Sequence, residues 1–379
     1  MAQPPVQTDV TRRGAPGAPE CTIALGEHEG DLKRMWISTR DSAKLAIIGL
    51  LTVRALSLNA AAADTIFARI ESLDKRFDAL IAPSTKIEKI ADDLAWSEGP
   101  LWDAKTSSLL FSDIPRNVVM QWNAKLGVSV FLEHSGYTGA APFTGREPGS
   151  NGLTFDPQGR LTLCQHGDRR ISYRDAYGKM IPVAVGFEGK RLNSPNDLVY
   201  DNKGALYFTD PPFGLPGTFT DPNKELAFNA VFRVDTEGKI APVATDLEAP
   251  NGIGFSPDFK TLYVANATAK DPIWMAYSVR RDGTLDKGRI FAEARNYVRK
   301  GDGVPDGLKV DVRGNVFATG PGGVHVFAPD GTRLGRIITD VPTANVAFGE
   351  DGATLFITAN HRVLRMRTKT RGLPLPVAK

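Results

Sequence analysis

The sequence predicts an all-β protein, a six-bladed β-propeller with a short N-terminal helical extension. Two observations predict this fold. A phrase of strand, Asp-Gly turn and strand recurs six times between residue 96 and the C-terminus, and its apolar residues alternate with the period of two that is typical of strands. Successive copies are 39 to 55 residues apart, which matches the length of a four-stranded blade. The alternative is an open β-sandwich or a solenoid with coincidental turns.

Each copy begins with a short polar segment that leads into the first strand. The six copies are Ser97–Trp102, Ser150–Gly159, Pro195–Gly204, Pro250–Asp258, Pro305–Gly314 and Ala344–Gly352. A second strand follows each of them: Leu109–Asp113, Leu161–Cys164, Leu206–Asp210, Leu262–Asn266, Val316–Thr319 and Leu355–Ala359. Because β-branched and aromatic residues dominate these second segments, they favour strands over helices.

Residues 1–63 are predicted to be a disordered tail followed by a signal peptide. Arg40 and Lys44 precede the apolar run Leu45–Val53, and the small residues Ala61–Ala63 come before Asp64. A basic region, a short apolar core and small residues are the parts of a secretory signal peptide. The run is too short to span a bilayer. We therefore expect a periplasmic or secreted protein, or a cytoplasmic one if the segment is not a signal.

Residues 64–95 are predicted to be an extension that closes the ring. Ile66–Ile70 and Leu73–Phe77 have a helix-like spacing of apolar residues, whereas Lys86–Ile90 resembles an extended strand. We expect a short helix outside the propeller and then a strand that joins the last blade, since closure removes exposed sheet edges. Residues 96–379 then form the six blades, with the final residues as a tail.

Composition narrows the classes of partner and chemistry. The net charge of +3 is small against 46 basic and 43 acidic residues, which favours neither a nucleic-acid nor a membrane partner. We expect a monomer or a weak homo-oligomer. Of the two cysteines, Cys164 lies beside the apolar residues Leu161 and Leu163 and is predicted to be buried. The sequence has no Gly-x-Ser-x-Gly elbow and no dinucleotide fingerprint after a strand, which disfavours a serine hydrolase and a dinucleotide cofactor.

The polar segment of every copy holds an oxygen-bearing side chain at the same position. These residues are Glu98, Asn151, Asn196, Asn251, Asp306 and Asn345. Equivalent positions of successive blades face one axis, so the six side chains are expected to converge there. Such a set suits a hard divalent cation, most simply Ca²⁺. The alternative is that Asn-Gly and Asp-Gly only form turns. It explains Glu98 poorly, because Glu has no turn preference.

Several longer motifs carry a resemblance to a known family. They are Ser97–Pro100 with Leu109–Ile114, Glu147–Leu153 with Leu163–Arg170, Arg191–Leu198 with Tyr207–Gly214, Pro250–Gly252 and Pro305–Gly307. In this order they resemble the gluconolactonase and senescence marker protein (regucalcin) family over about residues 75–368. The resemblance implies hydrolysis of a sugar lactone, such as gluconolactone, to the aldonic acid.

The resemblance also implies one divalent cation on the axis, commonly Ca²⁺ and in some members Zn²⁺, Mg²⁺ or Mn²⁺. Its implied ligands are Glu98, Asn251 and Asp306, with Asn196 binding directly or through water. Animal members have an arginine two residues before this asparagine that contacts the substrate, whereas this chain has Ser194. The sugar that the site accepts is therefore left open.

Hydrolysis of a lactone needs a polarised carbonyl and an activated water. Asp306 is the candidate general base, and a water activated directly by the cation is the alternative. His166 is the second candidate, as a proton shuttle or a substrate-binding residue, although it could instead be a surface loop histidine. Asn151 and Asn196 are the other predicted substrate contacts. The rival functions are a non-catalytic calcium-binding propeller and an aryl-ester or organophosphate hydrolase on the same metal centre.

Overall fold

Within residues 68–297 and 301–376, which the computed structural model describes, six antiparallel sheets follow one another along the chain. The first strands of the sheets contact each other in chain order, and the last of them contacts the first. This closes a ring in which the first strand of each sheet is innermost. The predicted six-bladed β-propeller is confirmed.

The strands are numbered along the chain. The N-terminal segment holds β1 (Ala68–Ser72), a single helical turn α1 (Lys75–Asp78) and β2 (Ile87–Ala91). Blade one holds β3 (Ser97–Asp103), β4 (Ser108–Asp113), β5 (Val118–Asn123) and β6 (Gly127–Glu133). Blade two holds β7 (Ser150–Phe155), β8 (Leu161–Gln165), β9 (Arg170–Arg174) and β10 (Met180–Ala184), followed by a ribbon of β11 (Gly186–Phe187) and β12 (Lys190–Arg191).

Blade three holds β13 (Leu198–Tyr200), β14 (Leu206–Asp210), β15 (Ala230–Val234) and β16 (Ile240–Ala244), with a 3-10 turn at Thr218–Thr220. Blade four holds β17 (Pro250–Phe255), β18 (Thr261–Asn266), β19 (Ile273–Ser278) and β20 (Arg289–Glu293), with a 3-10 turn at Arg295–Tyr297. Blade five holds β21 (Leu308–Val310), β22 (Val316–Gly320), β23 (Gly323–Phe327) and β24 (Arg333–Thr339). Blade six holds β25 (Asn345–Gly349), β26 (Thr354–Ala359) and β27 (Arg362–Arg367).

The Asp and Gly of the repeated phrase form the turn between the first two strands of a blade. In blade two, the Asp156 carboxylate accepts hydrogen bonds from the backbone N–H groups of residues 158 and 160, and Gly159 has a φ of +76°. Asp201 and Asp311 accept the same pair of bonds in blades three and five. Only a residue that tolerates a positive φ fits the fourth position, which explains the glycine.

The N-terminal segment corrects one prediction. Ala68–Ser72 is a strand and not part of a helix, because it pairs antiparallel with the free edge of β24 and makes blade five a five-stranded sheet. Only the turn Lys75–Asp78 is helical, with Phe77 fully buried. The extended segment at Lys86–Ile90 is found as β2, which pairs with β27 and completes blade six.

The hydrophobic core lies between the blades and not within one of them. Six buried clusters each combine residues of two neighbouring sheets, so the core runs around the whole ring. Cys164 belongs to the cluster between blades two and three, where it is fully buried as a free thiol, as predicted. Each blade therefore depends on both neighbours for its burial, and the inner strands are held at fixed positions around the axis.

The predicted signal peptide lies outside the described residues, and its processing stays a prediction. Intact-mass measurement on protein from the native cell is expected to show an N-terminus near Asp64. A full-length product would contradict export. Among the described residues, no helix combines the length and the apolar character that crossing a membrane requires.

His325 is a buried histidine between blades four and five, where its ring packs against Trp274 and Phe327. Burial lowers the pKa of His325 from 6.5 to about 3. Below pH 6.5 the unfolded chain binds a proton at this residue that the folded chain does not bind until about pH 3. The free energy of unfolding therefore falls with decreasing pH in this window, by about 1.4 kcal/mol per pH unit from this residue alone.

We expect His325→Phe to remove this part of the acid sensitivity, because phenylalanine keeps the aromatic packing and does not titrate. Urea unfolding at pH 6.5 and pH 5 measures it. The loss of stability over these 1.5 pH units should be about 1.6 kcal/mol smaller in the variant than in the wild type, because the unfolded histidine is already half protonated at pH 6.5. Equal losses in the two proteins would show that His325 does not couple folding to pH.

Candidate functional site

The oxygen-bearing residues of the repeat all lie where the innermost strands begin. Glu98, Asn151 and Asn251 are the second residues of β3, β7 and β17. Asn196 and Asp306 lie two residues before β13 and β21, and Asn345 is the first residue of β25. Since every innermost strand starts on the same face of the ring, the six residues lie at one mouth of the central channel.

The glycines that follow these residues show how closely the backbones of neighbouring blades approach each other at the mouth. A Cβ on Gly99 would lie 2.1 Å from the carbonyl oxygen of Asn151, and one on Gly152 would lie 2.7 Å from that of Asn196. A Cβ on Gly252 would lie 2.2 Å from the carbonyl oxygen of Asp306. Each glycine therefore packs against the site residue of the next blade, where no side chain fits.

The interpretation of these dipeptides as simple turns is wrong. Gly152, Gly252 and Gly307 do not have a positive φ, and the dipeptides lie in or directly before strands. Three of the strands carry a bulge at this point, between Glu98 and Leu101, Ser150 and Leu153, and Pro250 and Ile253. A bulge changes the direction of a side chain relative to the sheet, here next to the axis.

Four of the six residues hold an oxygen that is buried without a hydrogen-bond partner. They are Oδ1 of Asn151, Asn196, Asn251 and Asp306. A buried oxygen without a partner costs about 1–3 kcal/mol, so four of them at one point indicate a ligand that they receive. Asn345 differs, because its Oδ1 accepts from the Val346 N–H and its Nδ2 donates to Glu98 Oε2 at 3.1 Å.

The two carboxylates of the set are held together in a buried position. Burial, together with the nearby Asp197 carboxylate, raises the pKa of Glu98 to about 7. Burial raises the pKa of Asp306 well above its ordinary value, and the Glu98 carboxylate adds to this. Two buried carboxylates that disfavour each other's charge are stabilised by a cation between them.

The donor set fits a hard divalent cation. Two carboxylates and neutral amide oxygens match the preference of Ca²⁺ for oxygen ligands, and they balance its charge. Over the described ranges, no group of three or more His, Cys, Asp or Glu side chains is placed to hold a metal. In a centre built on Glu98 and Asp306, asparagine would supply the remaining oxygens.

His166 is fully buried beside the site and is not a surface histidine. It follows β8, and its Nδ1 lies 2.9 Å from Oε2 of Glu147, although neither ring nitrogen makes a hydrogen bond with good geometry to a described residue. Glu147 is close enough to the axis that its charge raises the pKa of Asp306. The sequence motif contains Glu147, but nothing in its spacing pointed to a pairing with His166.

Ser194 does not replace the substrate-contacting arginine that animal members have at this position. Its side chain is fully buried, its Oγ donates to the carbonyl of Pro211 at 2.6 Å, and it accepts from the Gly214 N–H at 2.8 Å. It therefore fixes the loop after β14. Phe213 in this loop packs against Phe219.

Tyr137 packs at an angle against Phe143, with ring centroids 5.1 Å apart. Both rings are partly exposed and belong to the loop that also carries Glu147. A Cβ on Gly145, in the same loop, would contact Phe143 and Pro216 of the loop after β14. The two loops, each of which carries a pair of packed aromatic rings, therefore meet.

The inner layer of the site, which consists of the Asp197 carboxylate and the groups in contact with it, was not predicted from the sequence. Asp197, the neighbour of Asn196, is buried, and its Oδ2 lies 3.7 Å from the ammonium of Lys309. The same carboxylate oxygen lies 3.5 Å from Nδ2 of Asn345. The residue that follows the site residue is glycine in four blades and Val346 in blade six. Asp197 in blade three is therefore the one acidic side chain at this position.

Comparisons with known proteins show which family the chain resembles. The sequence model described as the SMP-30/gluconolactonase/LRE-like region matches residues 96–361. The chain is 42% identical to the gluconolactonase of Zymomonas mobilis over 310 residues, which cover 80% of this chain and 87% of that protein. It is 30% identical to the pentonolactonase XacC of Haloferax volcanii over 268 residues, covering 69% of this chain and 80% of that one.

A solved structure extends the comparison to the fold. The gluconolactonase from Xanthomonas campestris superposes with a TM-score of 0.69 at 34% identity, covering 79% of this chain and 95% of that one. The chain belongs to the SMP-30/gluconolactonase/LRE-like family.

Proposed function

We propose that this protein is a lactonase that opens a sugar lactone, such as gluconolactone, to the aldonic acid at a centre that binds one divalent cation. The convergence of four unpartnered oxygens and two buried carboxylates at one mouth of the ring is the observation that carries the proposal. The names of the relatives support the substrate class, since they act on six-carbon and five-carbon sugar lactones.

Glu98, Asn196, Asn251 and Asp306 would hold the cation, with Ca²⁺ favoured over Zn²⁺, Mg²⁺ or Mn²⁺ by the all-oxygen donor set. When bound, such a cation polarises the lactone carbonyl and lowers the pKa of a water. The innermost strands fix the positions of the four proposed ligands. Because the four residues come from four different blades, the rigid ring holds their oxygens in place before the ligand arrives.

Asp306 is the proposed acceptor of the water proton. The water oxygen adds to the carbonyl carbon, the ring carbon–oxygen bond breaks, and the proton passes to the leaving ring oxygen to give the hydroxy acid. The Oδ1 of Asp306 has no hydrogen-bond partner within the described part of the chain, so it is free to accept a proton at the centre.

The remaining polar groups are assigned to the substrate. Asn151 and Asn196 present amide oxygens that suit the hydroxyl groups of a sugar ring. His166 would bind the substrate or carry a proton at Nε2, with Glu147 holding the opposite ring nitrogen. Tyr137 and Phe213 are placed on the aromatic loops next to the mouth.

A pH-stat screen tests the proposal. Gluconolactone, pentonolactones, an aryl ester and an organophosphate are compared with and without chelator, and spontaneous hydrolysis is subtracted. We expect acid release from the sugar lactones that chelator abolishes and added Ca²⁺ restores. Preferential hydrolysis of the aryl ester or the organophosphate would reassign the substrate. Bound cation without any hydrolysis would indicate a non-catalytic calcium-binding propeller.

A further inference from the structure

Lys309 is a lysine whose side chain enters the centre of the ring. It is the middle residue of β21, and its neighbours Leu308 and Val310 are buried in the core between blades four and five. Because side chains alternate along a strand, Lys309 faces the opposite way, into the channel. About a third of its side chain is accessible, and the rest lies against the inner layer of the site.

Three oxygens surround the ammonium. Nζ lies 3.7 Å from Oδ2 of Asp197, 3.5 Å from Oδ1 of Asn345 and 3.0 Å from the carbonyl oxygen of Leu308. A carboxylate, an amide and a backbone carbonyl are the oxygen types that a hard cation takes as ligands. The ammonium therefore occupies a position whose surroundings match those of a cation site.

This inner position is connected to the proposed cation centre through Asn345. Its Nδ2 donates to Glu98 Oε2 at 3.1 Å and lies 3.5 Å from Asp197 Oδ2, so one amide bridges the two carboxylates. With Asp306, three carboxylates lie around the proposed centre, and a fourth, Glu147, lies beside His166. One divalent cation supplies two positive charges, and the Lys309 ammonium supplies the third.

We propose that the Lys309 ammonium is a built-in positive charge that takes the place of a second cation and limits the axis to one divalent ion. This inference rests on the proposed cation centre, and it concerns a residue outside the proposed ligand set. Removing the ammonium leaves the Asp197 carboxylate and the Asn345 amide oxygen buried without a cation, next to a channel through which an ion can enter.

Titration calorimetry of the chelator-stripped full chain with CaCl₂ tests the inference, with equilibrium dialysis as the independent count. The wild type should bind one Ca²⁺ per chain, and Lys309→Met should bind two. Lys309→Arg keeps the charge and should bind one. The double variant Asp197→Asn with Lys309→Met removes the carboxylate together with the ammonium and should return to one. Far-UV circular dichroism confirms that each variant is folded.

The outcomes separate this inference from the proposed function. A wild type that binds no Ca²⁺ removes the cation centre and the inference with it. One ion in the wild type and one in Lys309→Met, at any affinity, overturns the inference and leaves the centre intact. Two ions in the wild type, or two in the double variant, also overturn it, because the second ion would then not depend on the exchange between Lys309 and a cation.

Discussion

Replacing Asp306 with asparagine is expected to lower lactone turnover by about 10²-fold or more, the usual scale for loss of a general base. Asparagine has nearly the shape of aspartate, so the packing of Gly252 against the Asp306 carbonyl should survive. The variant loses the proton acceptor and one of the two charges that would balance the cation. The measurement is turnover in the pH-stat at saturating Ca²⁺, which separates loss of the base from weaker cation binding.

Asp271→Asn is a matched control. Asp271 is a partly exposed aspartate in the loop after β18, where it forms an ion pair with Arg295. The change to asparagine removes one negative charge, as Asp306→Asn does, but at a place away from the axis. Its turnover should stay close to that of the wild type. If Asp306→Asn were equally active, the proton would have another acceptor, and His166 would be the first residue to test. Without the cation, unfolding of Asp306→Asn should require no less urea than the wild type, because burial penalises the charged form.

The architecture was predictable because it repeats. Blades two, three and five share the same Asp-x-x-Gly turn, and all six blades share the alternating strands, so weak local patterns reinforce one another. The segment at Ala68–Ser72 shows where this reasoning fails. Its apolar spacing suits either a helix or a strand, and the free edge of β24 decides between them. A pairing partner more than 260 residues away in sequence leaves no local signal.

The oxygen set of the site was predictable for the same reason, since a repeat fixes which residues share a phase. The residues that the sequence did not reveal break the repeat. Asp197 and Lys309 each occur in one blade only, and their pairing crosses the channel. Glu147 reaches His166 from the loop before β7. Such contacts depend on the closure of the ring and on loop conformation, which periodicity does not encode.

Loop conformation, which the repeat does not encode, also decides the role of Ser194. By position in the motif it was compared with an arginine that contacts substrate in animal members. The structure shows that both hydrogen-bonding functions of its hydroxyl group are used by the loop after β14. In the proposed function, substrate recognition on this side of the mouth is therefore assigned to other groups, among them Asn151 and the aromatic loops. This is consistent with a family in which the fold is shared and the loops set the substrate.

Replacing Glu98 with glutamine is expected to weaken divalent-cation binding by at least about 10²-fold, since removal of partners outside the ligand set already costs 10–100-fold in many metal sites. The Oε2 of Glu98 accepts from the Gly99 N–H and from Asn345 Nδ2, and a glutamine oxygen can accept both bonds. The change therefore removes charge and keeps the local geometry. If Glu98 were only structural, cation affinity would not change.

Thermal unfolding with and without Ca²⁺ gives a second measure of the same change. At a Ca²⁺ concentration 100 times the wild-type Kd, the ion should stabilise the wild type by about 2.7 kcal/mol and the variant by only about 0.4 kcal/mol. Without Ca²⁺ the variant should be at least as stable as the wild type, because glutamine relieves the repulsion between Glu98 and Asp306. Glu133→Gln, at the exposed end of β6, is the matched control and should keep the full response. An undiminished Ca²⁺ response in Glu98→Gln would place the cation away from Glu98 and would remove the charge balance on which the proposed centre depends.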